Sequence, residues 1–261
     1  MIKKLMAAVA LVVVLGSCAS REKLQYYQGI AEAVQQDALT YNPILKHDDL
    51  LMIIVSAQNP EAVKDFNLAS YGVIADGSNT LGRPDLAGTQ LRYQSYLIDN
   101  KGNIEFPVLG TIKLGGMERS AAVELLKSKI QQYVNNPAVT LRILNYKVTV
   151  QGEVTRPGTF STTTERITLP EALGMAGDLT IYGKRDNILI IREIGGKKSY
   201  NFVDLTKADF INSPFYYLQQ NDLVYVEPNK TKMNSSVVGA NISVILTSVS
   251  LLITIVALLI R

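Results

Sequence analysis

The chain has 261 residues, with 26 Lys and Arg against 23 Asp and Glu and a formal charge of +3. That near-balance excludes a polyanion-binding role, so no nucleic acid partner is expected. A single cysteine excludes an internal disulfide, and 47% apolar against 19% charged residues describes a globular chain that leans apolar.

At the start, Lys3 and Lys4 precede an apolar stretch over residues 5–15. It is too short to cross a bilayer comfortably, so residues 1–17 read as a secretory signal. Leu15-Gly16-Ser17-Cys18 resembles the lipobox of bacterial lipoproteins, which makes Cys18 the expected lipidation site and outer-membrane lipid an expected partner. The competing reading is an ordinary signal peptide with an incidental cysteine. Residues 18–39 follow as a helical tether, because Leu24, Tyr27, Ala31, Val34 and Ala38 recur at steps of three and four. Asn42-Pro43 ends it, since the residue before proline disfavours the α region.

Residues 40–144 form the first expected domain. A continuous apolar run at 50–55 reads as a buried strand, and residues 58–95 as a long surface loop with a weak helical patch near 61–66. Runs at 104–114 and 139–143 read as strands. Between them lies a helix over 119–134 whose Val123, Leu126, Ile130 and Tyr133 face the core. The second domain, 145–228, opens with a strand at 147–153, a turn at Arg156-Pro157-Gly158 and a returning strand at 159–163. Gly158 is the expected left-handed residue of that turn. Thr168-Leu169-Pro170-Glu171 fits a capping box ahead of a short helix over 169–176. Strands at 188–192, 198–204 and 223–227 complete a small mixed sheet. The fold class is α+β, with two hairpin-then-helix units of β-grasp character joined near Asn145.

Residues 229–261 hold 24 uncharged positions, 237–260, flanked by Lys230, Lys232 and Arg261. As one helix they would extend about 36 Å, past a hydrocarbon core of roughly 30 Å, so a C-terminal transmembrane helix is expected. Ser236, Ala240, Ser243, Thr247, Ser250, Thr254 and Ala257 recur at alternating steps of four and three. Within that stripe Ser243, Thr247, Ser250 and Thr254 are candidate pore-facing residues. A helix–helix seam or a simple anchor would use the same pattern.

No reaction chemistry is expected. His47-Asp48-Asp49 invites a metal, but side chains alternate along a strand approach, and a turn before the strand explains the same residues. The only histidine leaves no triad, and Glu171 is better read as a cap than as one of a glycosidase pair with Glu165. Gly115-Gly116 lacks the pattern of a phosphate loop. The 13 tyrosines could stack on sugars, although strand and interface packing is their commoner use. No cofactor is expected.

Two ordered motifs resemble a known family. Asp99, Gly102, Ile104, Phe106-Pro107 and Gly110, then a helix, then Pro137 and Val139 resemble the polysaccharide export domain of Wza-type outer-membrane proteins. Val150, Gly152-Glu153-Val154 and Pro157-Gly158, with Ala176-Gly177 and Ile191-Arg192, resemble the SLBB (soluble ligand-binding β-grasp) domain that follows it there. The chain places Asp48, Asn221 and Asp178 where the family often has glycine, and these are the residues most tolerant of left-handed backbone. Well-known members carry two SLBB domains, whereas this chain has one. The resemblance implies a non-enzymatic subunit of a homo-oligomeric ring that exports a capsular or exopolysaccharide. It implies a lipid-anchored outer-membrane location, with the bulk in the periplasm, the C-terminus at the cell surface, and an inner-membrane polysaccharide co-polymerase or tyrosine kinase as partner. A membrane-tethered sugar-binding or adaptor module that forms no pore is the alternative.

Overall fold

The computed structural model describes residues 23–31, 41–71, 91–238 and 241–259. In the first unit, β1 (Leu50–Ser56) lies between β4 (Ser95–Leu97) and β7 (Ala138–Ile143) in an antiparallel sheet. Leu51, Ile53 and Val55 alternate into the core, as a half-covered strand requires. The loop after β1 is more ordered at its start than its composition suggests. A 3₁₀ turn over Pro60–Phe66 buries Val63 and Phe66, and β2 (Ala69–Tyr71) pairs with β3 (Leu91–Tyr93). The apolar run at 104–114 is a hairpin, β5 (Asn103–Phe106) with β6 (Gly110–Lys113), that buries Ile104 opposite Ile112.

Helix α1 (Arg119–Ile130) is shorter than its sequence pattern and rotated from it. It buries Ala122, Leu126 and Ile130, while Tyr133, expected inside, is 59% exposed. The chain leaves the helix at Ile130 in a tight turn, so Val134 rather than Tyr133 reaches the core.

The second unit is one five-stranded sheet in the order β12-β11-β14-β8-β9. These strands span Lys197–Val203, Gly183–Ile194, Leu223–Pro228, Lys147–Gly152 and Gly158–Ser161 respectively. Only the β14–β8 pairing is parallel. A short ribbon of β10 (Ile167–Thr168) and β13 (Tyr217–Leu218) leads into α2 (Leu169–Met175). Thr168 Oγ1 accepts from Glu171 N, and Glu171 Oε2 accepts from Thr168 N at 2.7 Å, completing the capping box.

Gly158 lies in β9 with φ outside the left-handed region, and a Cβ there would meet only the Phe160 ring at 3.8 Å. The left-handed glycine of this region is Gly152, at φ +93, where a Cβ would sit 2.0 Å from Val226 O. The β8–β14 backbone approach, not the proline turn, demands the glycine.

The units share one hydrophobic core. Asn145 joins them with side chain and main chain: its Oδ1 accepts from Leu50 N, its Nδ2 donates to Asp48 O, and its carbonyl accepts from Gln220 Nε2.

After β14 come α3 (Lys230–Val238) and α4 (Asn241–Leu259). Among the described residues no helix is long and apolar enough to cross a membrane. The expected transmembrane span over 237–260 is therefore not found among the described residues. The 19 residues of α4 rise about 28 Å, just under a hydrocarbon core of roughly 30 Å.

Candidate functional site

The long strand β11 has a distinct cluster at each end. At its start, residues 178–185 hold both the incoming and the outgoing chain. Tyr26 Oη donates to Asp178 Oδ1 at 2.7 Å, and the Arg185 guanidinium lies 5.3 Å from the Tyr26 ring centroid. Burial, reinforced by the Asp178 hydrogen bond, pushes the Tyr26 hydroxyl well above its ordinary pKa, so it stays a neutral donor. Tyr27 N donates to Leu205 O and Gln28 N to Thr206 O, giving a parallel bridge between Gln28 and Lys207. The helical tether expected over 18–39 shows no α-helix across its described residues 23–31. Its main-chain donors are taken by the second unit, and Tyr27 is left-handed at φ 57.

The outgoing chain is tied to the same loop. Asn229 N donates to Tyr182 O at 2.7 Å, Lys232 Nζ pairs with Glu153 at 3.8 Å and lies over the Tyr182 ring. Thr180 Oγ1 donates to Glu153 Oε2, and Arg185 donates to Thr180 O and Gly183 O. Beyond this collar, α4 presents Val244, Leu246, Leu251 and Leu252 at 61–63% exposure. Thr247, Ser250 and Thr254 are exposed too, and their hydroxyls donate to Val244 O, Thr247 O and Ser250 O of their own helix. Such bonds let a hydroxyl face lipid at reduced cost. Cys18 and the Ser243 side chain lie outside the described residues.

The other end of β11 is roughly 36 Å away along the strand, taking about 3.3 Å per residue. There Glu193 meets the first unit. Lys46 Nζ donates to Glu193 O at 3.1 Å and to Gln220 O at 3.3 Å. His47 lies 3.2 Å from Asp48 Oδ2 and 3.3 Å from Glu193 Oε1, and these two carboxylates hold its pKa above the usual value. Burial pushes the Lys46 ammonium down from its ordinary value. Among the described residues no group of His, Cys, Asp and Glu is placed to hold a metal ion.

Two turns of the same form flank this seam. Asp48 is left-handed at φ 64 and Asn221 at φ 65, and Asp178 adopts φ 63 in the collar. Asp49 Oδ2 accepts from Lys46 N at 2.8 Å, as Asp222 Oδ2 does from Gln219 N at 2.8 Å. Asp49 and Asp222 are both fully buried.

Two further features escape sequence reading. The outer face of the second sheet aligns Phe202, Leu189 and Tyr225 in one row and Tyr200, Ile191 and Leu223 in the next. Tyr200 and Phe202 are 62% and 64% exposed, an unusual pair on a solvent face. At the β5–β6 tip Val108 is left-handed at φ 65, a strained conformation for a β-branched residue. No residue-type signal points to it.

Residues 37–144 match the family model for polysaccharide biosynthesis/export protein, and residues 147–202 match the SLBB domain. The chain is 31% identical over 186 residues to the EPS I polysaccharide export outer membrane protein EpsA of Ralstonia solanacearum, covering 70% of this chain and 47% of the relative. It is 32% identical over 183 residues to the protein of the same name from Ralstonia nicotianae, covering 69% of this chain and 45% of the relative. The matched stretch thus spans less than half the length of either relative. An export domain followed by an SLBB domain, in the order and at the residues that carry the motifs, makes the chain a member of the Wza-type polysaccharide export family.

Proposed function

We propose that the chain is a subunit of an outer-membrane assembly through which a bacterial exopolysaccharide leaves the cell. The family match and the names of the relatives support export at the outer membrane. The observation that carries the subunit's orientation is the convergence of both chain ends on residues 178–185, a strand length from the first unit. Cys18 stands five residues before Lys23, so an acylated Cys18 would reach no farther than about 18 Å from the docked segment. Helix α3 leaves from the same collar, and the open apolar side chains of α4, next in the chain, suit lipid or sister helices. The second unit is then membrane-proximal, and the first points into the periplasm toward an inner-membrane polysaccharide co-polymerase or tyrosine kinase. Copies packed through surfaces such as the Tyr200–Phe202 sheet face form a ring, and the polysaccharide passes through it without a catalytic step.

A tethered adaptor without a pore is the second reading. It is favoured by the finding that no described helix is long and apolar enough to cross a membrane. Cys18→Ser is expected to lose outer-membrane fractionation and to lower secreted polysaccharide. Cysteines placed singly at Ser243, Thr247, Ser250 and Thr254, with Cys18 still acylated, are expected to react with a membrane-impermeant maleimide. Protection of all four in a strain that still exports would sink the pore and leave the adaptor.

A further inference from the structure

The seam between the units holds a cavity of about 530 Å³, within the size range of small-ligand pockets. Ile44, Leu45 and Ile194 supply apolar wall, and Gly116, Gly195 and Gly196 leave the main chain bare, with open space where a Cβ would stand. Its charged lining is Lys46, His47 and Lys101 against Glu193 alone. Lys113 Nζ, bound to Lys101 O at 2.8 Å, adds a further cation at the rim. Glu193 is already engaged by His47, so the pocket is left net positive.

Lys46 is the residue with something left to do. An ammonium has three N–H donors. Two go to the carbonyls of Glu193 and Gln220, and the third has no hydrogen-bond acceptor among the described residues. A half-buried cation with a spare donor, facing an unfilled apolar space, matches an incoming anionic oxygen, which would offset the cost of burying the charge.

We propose that this inter-unit pocket binds an acidic saccharide unit, its carboxylate on Lys46 and Lys101 and its ring against Ile194. The inference rests on the export reading for the source of the saccharide, while the pocket chemistry stands separately.

The β11–β12 turn supplies a clean variant. Ile194 pairs with Lys197 across Gly195 and Gly196, which adopt φ 57 and 75. Two-residue hairpin turns with both φ positive favour Asp-Gly and Asn-Gly. Gly195→Asp therefore keeps the turn and adds a carboxylate at the pocket, and Gly195→Asn adds the same bulk without charge.

Calorimetric titration of the full chain in detergent with trigalacturonate should show saturable binding. It should weaken about tenfold or more in Lys46→Gln and in Gly195→Asp, and stay near wild type in Gly195→Asn. Maltotriose, the neutral probe, should bind at least tenfold more weakly than trigalacturonate. Equal affinity for the two sugars, equal effects of Gly195→Asp and Gly195→Asn, or no binding at all overturns the proposal. Secretion by a deletion strain carrying each variant separates this inference from the export reading. If deletion abolishes secretion but the wild-type chain does not bind trigalacturonate, the pocket falls and the export reading stands. If deletion leaves secretion intact while trigalacturonate still binds selectively, the export reading falls and the pocket stands.

Discussion

The turn at Lys46–Asp49 and the turn at Gln219–Asp222 have the same backbone and opposite electrostatics. In each, a left-handed residue precedes a buried aspartate whose Oδ2 accepts the amide three residues back. Each turn delivers the chain into a buried strand, β1 or β14. Asp222 also holds Arg192, with contacts of 3.1, 3.1 and 2.7 Å, and Arg192 Nη2 donates onward to Tyr217 O. Asp49 has no such partner among the described residues, where its Oδ1 is buried without a hydrogen bond. Burial accordingly raises the Asp49 carboxyl to about 6, although Lys46 and His47 pull it down. The same local device carries a buried ion pair in one unit and a carboxyl with an unpaired oxygen in the other. What separates them is a strand neighbour: β11 carries Arg192 beside Asp222, and no described residue of the first unit places a cation within hydrogen-bonding reach of Asp49 Oδ1.

The largest way to break the contrast is Arg192→Met. It strands a buried carboxylate and should lower unfolding free energy by about 3–5 kcal/mol in urea denaturation. A loss below about 1 kcal/mol would mean that Asp222 is not held as an ion pair.

Asp49 tests the other side through pH. A carboxyl raised from 3.8 to about 6 on folding is favoured in its neutral form, so its contribution is fully present below pH 3.8. That contribution is lost as pH rises, and the loss is complete above about pH 6, amounting to about 3 kcal/mol at roughly 1.4 kcal/mol per unit. Asp49→Asn should flatten the stability profile across that window. Denaturation midpoints measured on both sides of the window decide it; an unchanged slope in Asp49→Asn would assign the titration elsewhere, with His47 the nearest candidate.

The smallest expected effect sharpens the likeness. Asp48→Val and Asn221→Val should each cost about 1–2 kcal/mol, because a β-branched residue resists left-handed backbone. Equal thermal shifts would confirm a shared turn geometry, and a difference beyond about 1 kcal/mol would end the comparison.

Much of the local structure was written in residue types. Asp48, Asn221 and Asp178 stand where glycine is common, and all three are left-handed because a short polar side chain tolerates that conformation. Thr168 and Glu171 announced a capping box because both partners lie within one turn. The continuous apolar run at 50–55 announced a buried strand, and Leu51, Ile53 and Val55 are its core face.

Tertiary structure decided what depends on contacts distant in sequence. Tyr26 bonds Asp178 across 152 positions, and Lys46 reaches Gln220 across 174, pairings that no local pattern encodes. Gly152 rather than Gly158 carries the left-handed backbone because Val226 O, on a strand far along the chain, leaves no room for a Cβ. Tyr133 is outside because α1 ends at Ile130, one turn before its apolar pattern runs out. Val108 is left-handed although valine resists it, so the surrounding hairpin must impose the strain. Residue type sets which backbone states are cheap, and only long-range packing selects among them, which is why the turns were legible and the seam with its cavity was not.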